Sequence, residues 1–190
     1  MTTRERLLSG AIEVLAKRGI NRASTRSIAA AARVNEVTLF RLFGSKEALF
    51  AEALKSHARA LSLPRLPAKV RDPRVEVTMW ACQFHRSMRR SQALIRRILG
   101  EFDLHPEMMA WAEATFGEVQ RDLDAYLRRL GGHRGPAVDG RYVKAAGEML
   151  VSALAVSAVC LEVRSHHRLE SEEAAEIYVS LFLRTLGLDV

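Results

Sequence analysis

Residues 24–50 read STRSIAAAARVNEVTLFRLFGSKEALF, and this stretch decides the fold. In three places a residue that caps helices well, Ser24, Asn35 or Ser45, precedes a run with apolar residues at helical spacing. The stretch therefore predicts short helices over residues 25–32 and 36–43, almost without a loop between them, and a further helix that begins at Lys46.

The segment before this stretch predicts one longer helix, over residues 3–18. Thr2 and Glu5 have the spacing of a capping box, and Gly19 followed by Ile20 has the form of a Schellman end. The apolar stripe of this helix consists of Leu8, Ala11, Ile12 and Leu15.

The segment after it also has helical periodicity. Leu61 to Pro73 carries three prolines and is predicted to be a connector. Helix starts are predicted beyond it at Asp72-Pro73, Ser91, Pro106, Asp139 and Ser171. The helix that begins at Asp139 is predicted to end near Arg164, and the helix that begins at Ser171 is predicted to end at Gly187. Because no run alternates apolar and polar residues, we expect an all-α protein of nine helices. Three segments are predicted: residues 1–46, residues 47–73 with the connecting helix and linker, and residues 74–190.

Composition excludes several classes of protein. The 190 residues are 48% hydrophobic and 27% charged, which is not typical of a disordered or collagenous chain. Cys82 and Cys160 stand too far apart for a disulfide scaffold and in no metal-ligand spacing. The polar N-terminus and the shortness of the longest uncharged apolar stretch predict a cytoplasmic protein with no membrane partner.

Positive charge is concentrated in the first third of the chain. Residues 1–60 hold 11 Lys and Arg against 5 Asp and Glu, a net charge of +6, whereas residues 61–190 have a net charge of +1. Such an asymmetry indicates an N-terminal module that binds a polyanion, joined to a second module with a different function. Taken alone, the charge would favour a merely solvated basic surface.

Two short helices that pack on an amphipathic first helix form the arrangement of a helix-turn-helix. The second helix of such a motif enters the major groove of DNA. The segments STRSIA (24–29), ARVNEVTLFRLF (32–43) and SKEALF (45–50) resemble the N-terminal signature of TetR-type transcriptional repressors. The resemblance covers residues 4–55; beyond residue 60 only the number and lengths of the helices agree.

The resemblance implies a set of contacts with double-stranded DNA. Base edges would be read from the exposed side of residues 36–43, and phosphates held where the flanking helices begin. The predicted DNA-binding residues are Ser24, Thr25, Arg33, Glu36, Val37, Thr38, Phe40, Arg41 and Lys46. For Ser24 and Lys46, a helix cap and a solvated lysine are equally good interpretations.

Three positions depart from the family's pattern. Arg33 stands where glycine is usual, which predicts either a residue at positive φ or a different turn. Phe40 replaces the common tyrosine and Leu42 a frequent histidine, so two polar groups that could reach DNA are lost.

For residues 74–190 the resemblance implies a small-molecule site and a homodimer interface. Large aromatic and flexible Met side chains often line adaptable apolar sites, although an ordinary packed core explains each of them as well. The predicted ligand-binding residues are Trp80, Phe84, Met88, Phe102, Met108, Trp111, Phe116 and Met149. The predicted dimer interface consists of Ala153, Ser157, Tyr178, Leu181 and Phe182.

Catalytic motifs are missing from the sequence, which holds no GxSxG, no HExxH and no phosphate-binding glycine-rich loop. We therefore expect a ligand-responsive DNA-binding regulator, a repressor released by an apolar or amphipathic effector, without enzymatic activity, cofactor or metal. The alternative is a helical ligand-binding or protein-interaction dimer that has weak or lost DNA binding.

Overall fold

The structure, a computed structural model, describes residues 1–61, 63–101, 106–131, 139–160 and 171–188. In these ranges it contains nine helices and no strand, which confirms the predicted all-α fold. The helices are α1 (Thr3–Arg18), α2 (Thr25–Ala32), α3 (Glu36–Phe43), α4 (Lys46–Ala60), α5 (Pro73–Arg90), α6 (Gln92–Leu99), α7 (Pro106–Gly131), α8 (Gly140–Cys160) and α9 (Ser171–Thr185).

The chain forms two compact units that interleave along the sequence. The first unit is residues 1–62 with 91–115, and the second is residues 63–90 with 116–190. The predicted segments, divided after residues 46 and 73, differ from these units because α6 returns to pack on α1. The chain therefore passes between the units three times, after residues 62, 90 and 115.

Helix α1 is the centre of the first unit and packs against α2, α4 and α6. Its buried residues are Leu7, Gly10, Ala11, Val14 and Leu15. The buried face is therefore rotated relative to the predicted apolar stripe, in which Leu8 and Ile12 are only half-buried. A Cβ at Gly10 would lie 3.1 Å from the backbone nitrogen of Ala32, so the glycine permits the close approach of α1 and α2.

The predicted helix starts are present. The Thr2 and Glu5 capping box forms, and the side chains of Ser24, Asn35 and Ser45 accept backbone N–H groups at the starts of α2, α3 and α4.

The end of α1 differs from the predicted Schellman motif. Gly19 has φ 76° and ψ 171°, and the next amide, Ile20 N–H, donates to Oε2 of Glu101 at 2.7 Å. Because the carboxylate of Glu101 occupies the space beside Gly19, a Cβ there would collide with it. A carboxylate two residues beyond the end of α6 thus supplies the acceptor that a Schellman motif takes from the helix itself.

The turn between α2 and α3 contains a strained residue. Arg33 has φ 55° and ψ 48°, and among the described residues it is the only non-glycine at positive φ. Its N–H donates to Ala30 O and the N–H of Val34 donates to Ala29 O, so the left-handed residue closes α2 as a glycine would. The prediction of a residue held at positive φ is confirmed.

The second unit packs α5, α8 and α9 together. The rings of Trp80 and Phe84 stack with centroids 5.9 Å apart, and Phe116 lies edge-on to Phe84 at 6.5 Å.

Among the described residues, α8 alone is long and apolar enough to span a membrane, with a mean hydropathy of 1.6. About 39% of this apolar window is buried, where α8 packs on α5 and α9.

Replacement of Arg33 by glycine should stabilise the chain. The left-handed conformation costs an arginine about 1 to 2 kcal/mol, and a glycine avoids this cost. Because glycine has more conformational freedom in the unfolded chain, part of that gain is offset on folding. We expect Arg33→Gly to raise the free energy of unfolding by roughly 0.5 to 1 kcal/mol in urea denaturation. Arg33→Ala, which retains the Cβ, is the control; equal effects of the two variants would contradict strain at this turn.

Candidate functional site

Helix α3 presents an exposed face that is largely apolar. Val37, Phe40 and Arg41, which share one side of the helix, are exposed, Val37 at 72% and Phe40 at 47%. Leu39, on the opposite side, is fully buried. Two exposed large apolar residues beside an arginine are typical of a contact surface.

Polar groups at the start of α2 and α3 bind each other. The hydroxyl of Thr25 donates to a carboxylate oxygen of Glu36, and both residues are half-buried. This bond joins the first turn of α2 to the first turn of α3 and fixes the angle between them. It also engages two of the residues that the sequence assigned to DNA.

Two further predicted phosphate contacts have partners within the chain. Ser24 accepts the N–H of Ser27 at 3.1 Å as the N-cap of α2. The Nζ of Lys46 is half-buried and donates to the carbonyl oxygen of Ile20 at 3.4 Å. Thr38 is half-buried, and Arg33 is exposed in the turn.

Sequence reasoning missed two cations beside this surface. Arg22 lies in the turn before α2 and Arg26 in its first turn, and both are exposed. Neither forms an ion pair within the described chain, so each adds positive potential where α2 begins. The net charge of +6 in residues 1–60 was the signal that could have found them.

The predicted ligand-binding residues divide into three groups. Trp80, Phe84 and Met88 are buried on α5, and Phe116 is half-buried against Phe84. Met149 is 71% exposed on α8, because the interior face of that helix is formed by Leu150, Val151 and Leu154. Phe102 and the side chains of Met108 and Trp111 lie outside the described residues.

A groove of 420 Å³ runs between α8 and α9. Its lining includes four predicted interface residues, Ala153, Tyr178, Leu181 and Phe182, together with Met149. The fifth predicted interface residue, Ser157, is buried, and its hydroxyl donates to the carbonyl oxygen of Leu154.

Comparison with known proteins identifies the N-terminal segment. Residues 7–53 match the family model of bacterial regulatory proteins of the tetR family. No match was found among curated proteins.

Solved structures share the fold over nearly the whole chain. A transcriptional regulator from Rhodococcus sp. RHA1 is 19% identical with a TM-score of 0.73, covering 96% of this chain and 97% of its own. The TetR-family transcriptional regulator PfmR from Thermus thermophilus is 25% identical with a TM-score of 0.65, covering 94% and 97%. The fatty acid degradation regulator FadR from Bacillus halodurans is 15% identical with a TM-score of 0.70, covering 96% and 95%. Residues 7–53 therefore match the N-terminal domain of tetR-family regulatory proteins, and the chain as a whole shares the fold of solved transcriptional regulators.

Proposed function

We propose that the chain is a cytoplasmic, homodimeric transcriptional regulator, a repressor that binds a pseudo-palindromic operator and is released by an apolar or amphipathic small molecule. The observation that carries the DNA-binding part is the exposed face of α3, with Val37, Phe40 and Arg41 on one side of a helix whose other side is buried. No catalytic step belongs to this proposal.

The side chains of this face suit a major groove. Arg41 can donate two hydrogen bonds to a guanine, Val37 can contact a thymine methyl group, and Glu36 can accept from cytosine with the oxygen that Thr25 does not bind. Free N–H groups where α2 and α4 begin, with Arg22, Arg26 and Lys46 nearby, suit phosphates.

Arg41→Ala and Lys46→Ala should separate base reading from phosphate binding. We expect Arg41→Ala to cost about 1 to 3 kcal/mol on the cognate site and to relax base choice at one position of each half-site. Lys46→Ala should weaken cognate and scrambled DNA alike and reduce the slope of log affinity against log salt by about 1. Fluorescence anisotropy with a site selected from random duplexes measures both.

Lys55→Ala is the matched control, because it removes the same charge from an exposed position within α4. Its DNA affinity should stay close to that of the parent protein. If Arg41→Ala weakens scrambled and cognate duplexes equally, α3 does not read bases.

The groove between α8 and α9 supports the homodimer. Its lining combines small residues, such as Ala145, Ala146 and Ala153, with exposed large ones, including Leu181 at 54% exposure. Small residues allow two helices to approach closely, and a self-complementary apolar patch is what a two-fold dimer buries.

Leu181→Arg should therefore yield monomers. Because Leu181 is exposed in the single chain, the arginine costs little there, whereas burial of an unpaired charge in a dimer costs several kcal/mol. Sedimentation velocity should give a monomer for Leu181→Arg and a dimer for Leu99→Arg, which places the same charge on exposed α6. A dimeric Leu181→Arg protein would place the interface elsewhere.

An effector could act through the contact between α4 and α6. The Nε2 of His57 on α4 lies 3.1 Å from the hydroxyl of Ser91, which directly follows α5 and precedes α6. Burial lowers the pKa of His57, so the ring stays neutral at physiological pH and can share this hydrogen bond. A shift of α5 on ligand binding would be passed through Ser91 to α4, whose first residue is Lys46. The fatty acid degradation regulator among the similar structures favours an apolar or amphipathic effector.

Ligand and DNA should weaken each other by the same factor, about 5- to 150-fold. An effector found by thermal-shift screening should show this factor in titrations with and without operator. His57→Ala should reduce the factor by which ligand and DNA weaken each other, while its ligand affinity without DNA stays close to that of the parent protein. Lys55→Ala, the control, should retain the full factor. A ligand whose affinity is indifferent to operator would contradict regulation by this route.

A second function, a ligand-binding or protein-interaction dimer without DNA binding, is favoured by one set of observations. Thr25, Glu36 and Lys46 are engaged within the chain, and Phe40 has no hydroxyl to offer a phosphate. Failure to select any duplex from a random pool, by a protein that is dimeric and folded, would establish this alternative.

A further inference from the structure

A second groove lies on the second unit between α5 and the segment before it. Residues 63–71, here called the connector, form one wall with Pro64 and Pro67, and α5 forms the other with Met79 and Trp80. The groove has a volume of 480 Å³, within the range of sites for small molecules.

The connector is held in place along α7. The guanidinium of Arg65 pairs with the carboxylate of Glu118, the N–H of Leu66 donates to Oδ2 of Asp122 at 2.8 Å, and Arg129 donates to Pro67 O at 3.2 Å. Three bonds to one helix fix this irregular segment, so the groove has two defined walls.

Trp80, which lines the groove, carries a hydrogen-bond donor without an acceptor among the described residues. Trp80 is only 2% exposed, and its indole Nε1–H donates to no acceptor in the described part of the chain. A buried donor without an acceptor costs about 1 to 3 kcal/mol, which an occupant with an acceptor atom would recover. Met79, beside it, is 67% exposed, and its flexible thioether can move to admit such an atom.

The rim of the groove is positively charged. Lys69 and Arg71 are exposed lining residues whose side chains form no ion pair within the described chain. Arg65 is neutralised by Glu118. The one lining carboxylate, Glu76, is occupied: it accepts the backbone N–H of Arg71 at 3.1 Å and the hydroxyl of Tyr126. Burial, together with this hydrogen bond to Glu76, raises the pKa of Tyr126.

We propose that this groove binds an amphipathic anion, with its apolar body against Pro64, Pro67 and Met79 and its carboxylate accepting from Trp80 Nε1–H between Lys69 and Arg71. A neutral molecule would leave the two cations without a counter-charge, and a cation would be repelled by them. The site requires no DNA, so its failure and that of the proposed regulator are separate results.

Decanoate, decan-1-ol and decyltrimethylammonium are the probes, since they share a chain length and differ in charge. Calorimetric titration should show decanoate binding at least about tenfold more tightly than the other two. Two-dimensional ¹⁵N–¹H spectra should show the indole Nε1–H resonance of Trp80, assigned from Trp80→Phe, moving downfield as the hydrogen bond forms. Equal affinities for the three probes, or an unmoved Trp80 resonance at saturation, would overturn the proposal.

The double variant Lys69→Ala/Arg71→Ala tests the rim without touching the core, because both residues are exposed. It should lower decanoate affinity about tenfold or more, since it removes two charge-assisted contacts. Arg128→Ala, an exposed cation on α7 outside the groove, is the matched control and should change the affinity by less than about twofold. Unchanged decanoate binding in the double variant would show that the anion binds elsewhere.

Discussion

The first unit depends on the burial of one face of α1. Leu7, Ala11 and Leu15 are completely buried where α2, α4 and α6 meet this helix, and Gly10 allows the backbone of α2 to come within van der Waals distance. Helices as short as α2 and α3 are marginal in isolation, so their stability comes from this packing. The exposed face of α3 keeps its orientation because α3 packs on α2 and α4, which both pack on α1.

A second constraint joins distant parts of the sequence around the end of α1. Ile20 lies in the turn that leads to α2, and both of its backbone polar groups have side-chain partners: Glu101 accepts its N–H, and Lys46 donates to its carbonyl oxygen. Glu101, two residues beyond α6, and Lys46, the first residue of α4, thus hold the same turn. Together with the His57 and Ser91 contact, these bonds connect α6 to the elements that carry the proposed DNA-binding surface.

Among the described residues of the second unit, an aromatic interior lies beside grooves of different chemistry. Trp80, Phe84 and Phe116 fill part of the interior with stacked and edge-on rings. The groove between α8 and α9 is lined mainly by apolar side chains and small residues, which suits a second copy of the chain. The groove beneath the connector has a cationic rim and a buried indole donor, which suits an anion. Trp80 belongs to both the aromatic cluster and the anionic site proposed here.

Local signals determined much of this fold from the sequence alone. Caps at Thr2, Ser24, Asn35 and Ser45 act within one turn, so the helix starts were predictable. The left-handed Arg33 was one of two alternatives that the family resemblance offered for this turn. Only the tertiary structure decided which side chains face each other. Three features depend on how the helices rotate and pack: the contact of Glu101 with Ile20, the return of α6 to the first unit, and the outward position of Met149. Helix α8 is apolar around much of its circumference, so the periodicity of its sequence cannot specify which side faces the interior.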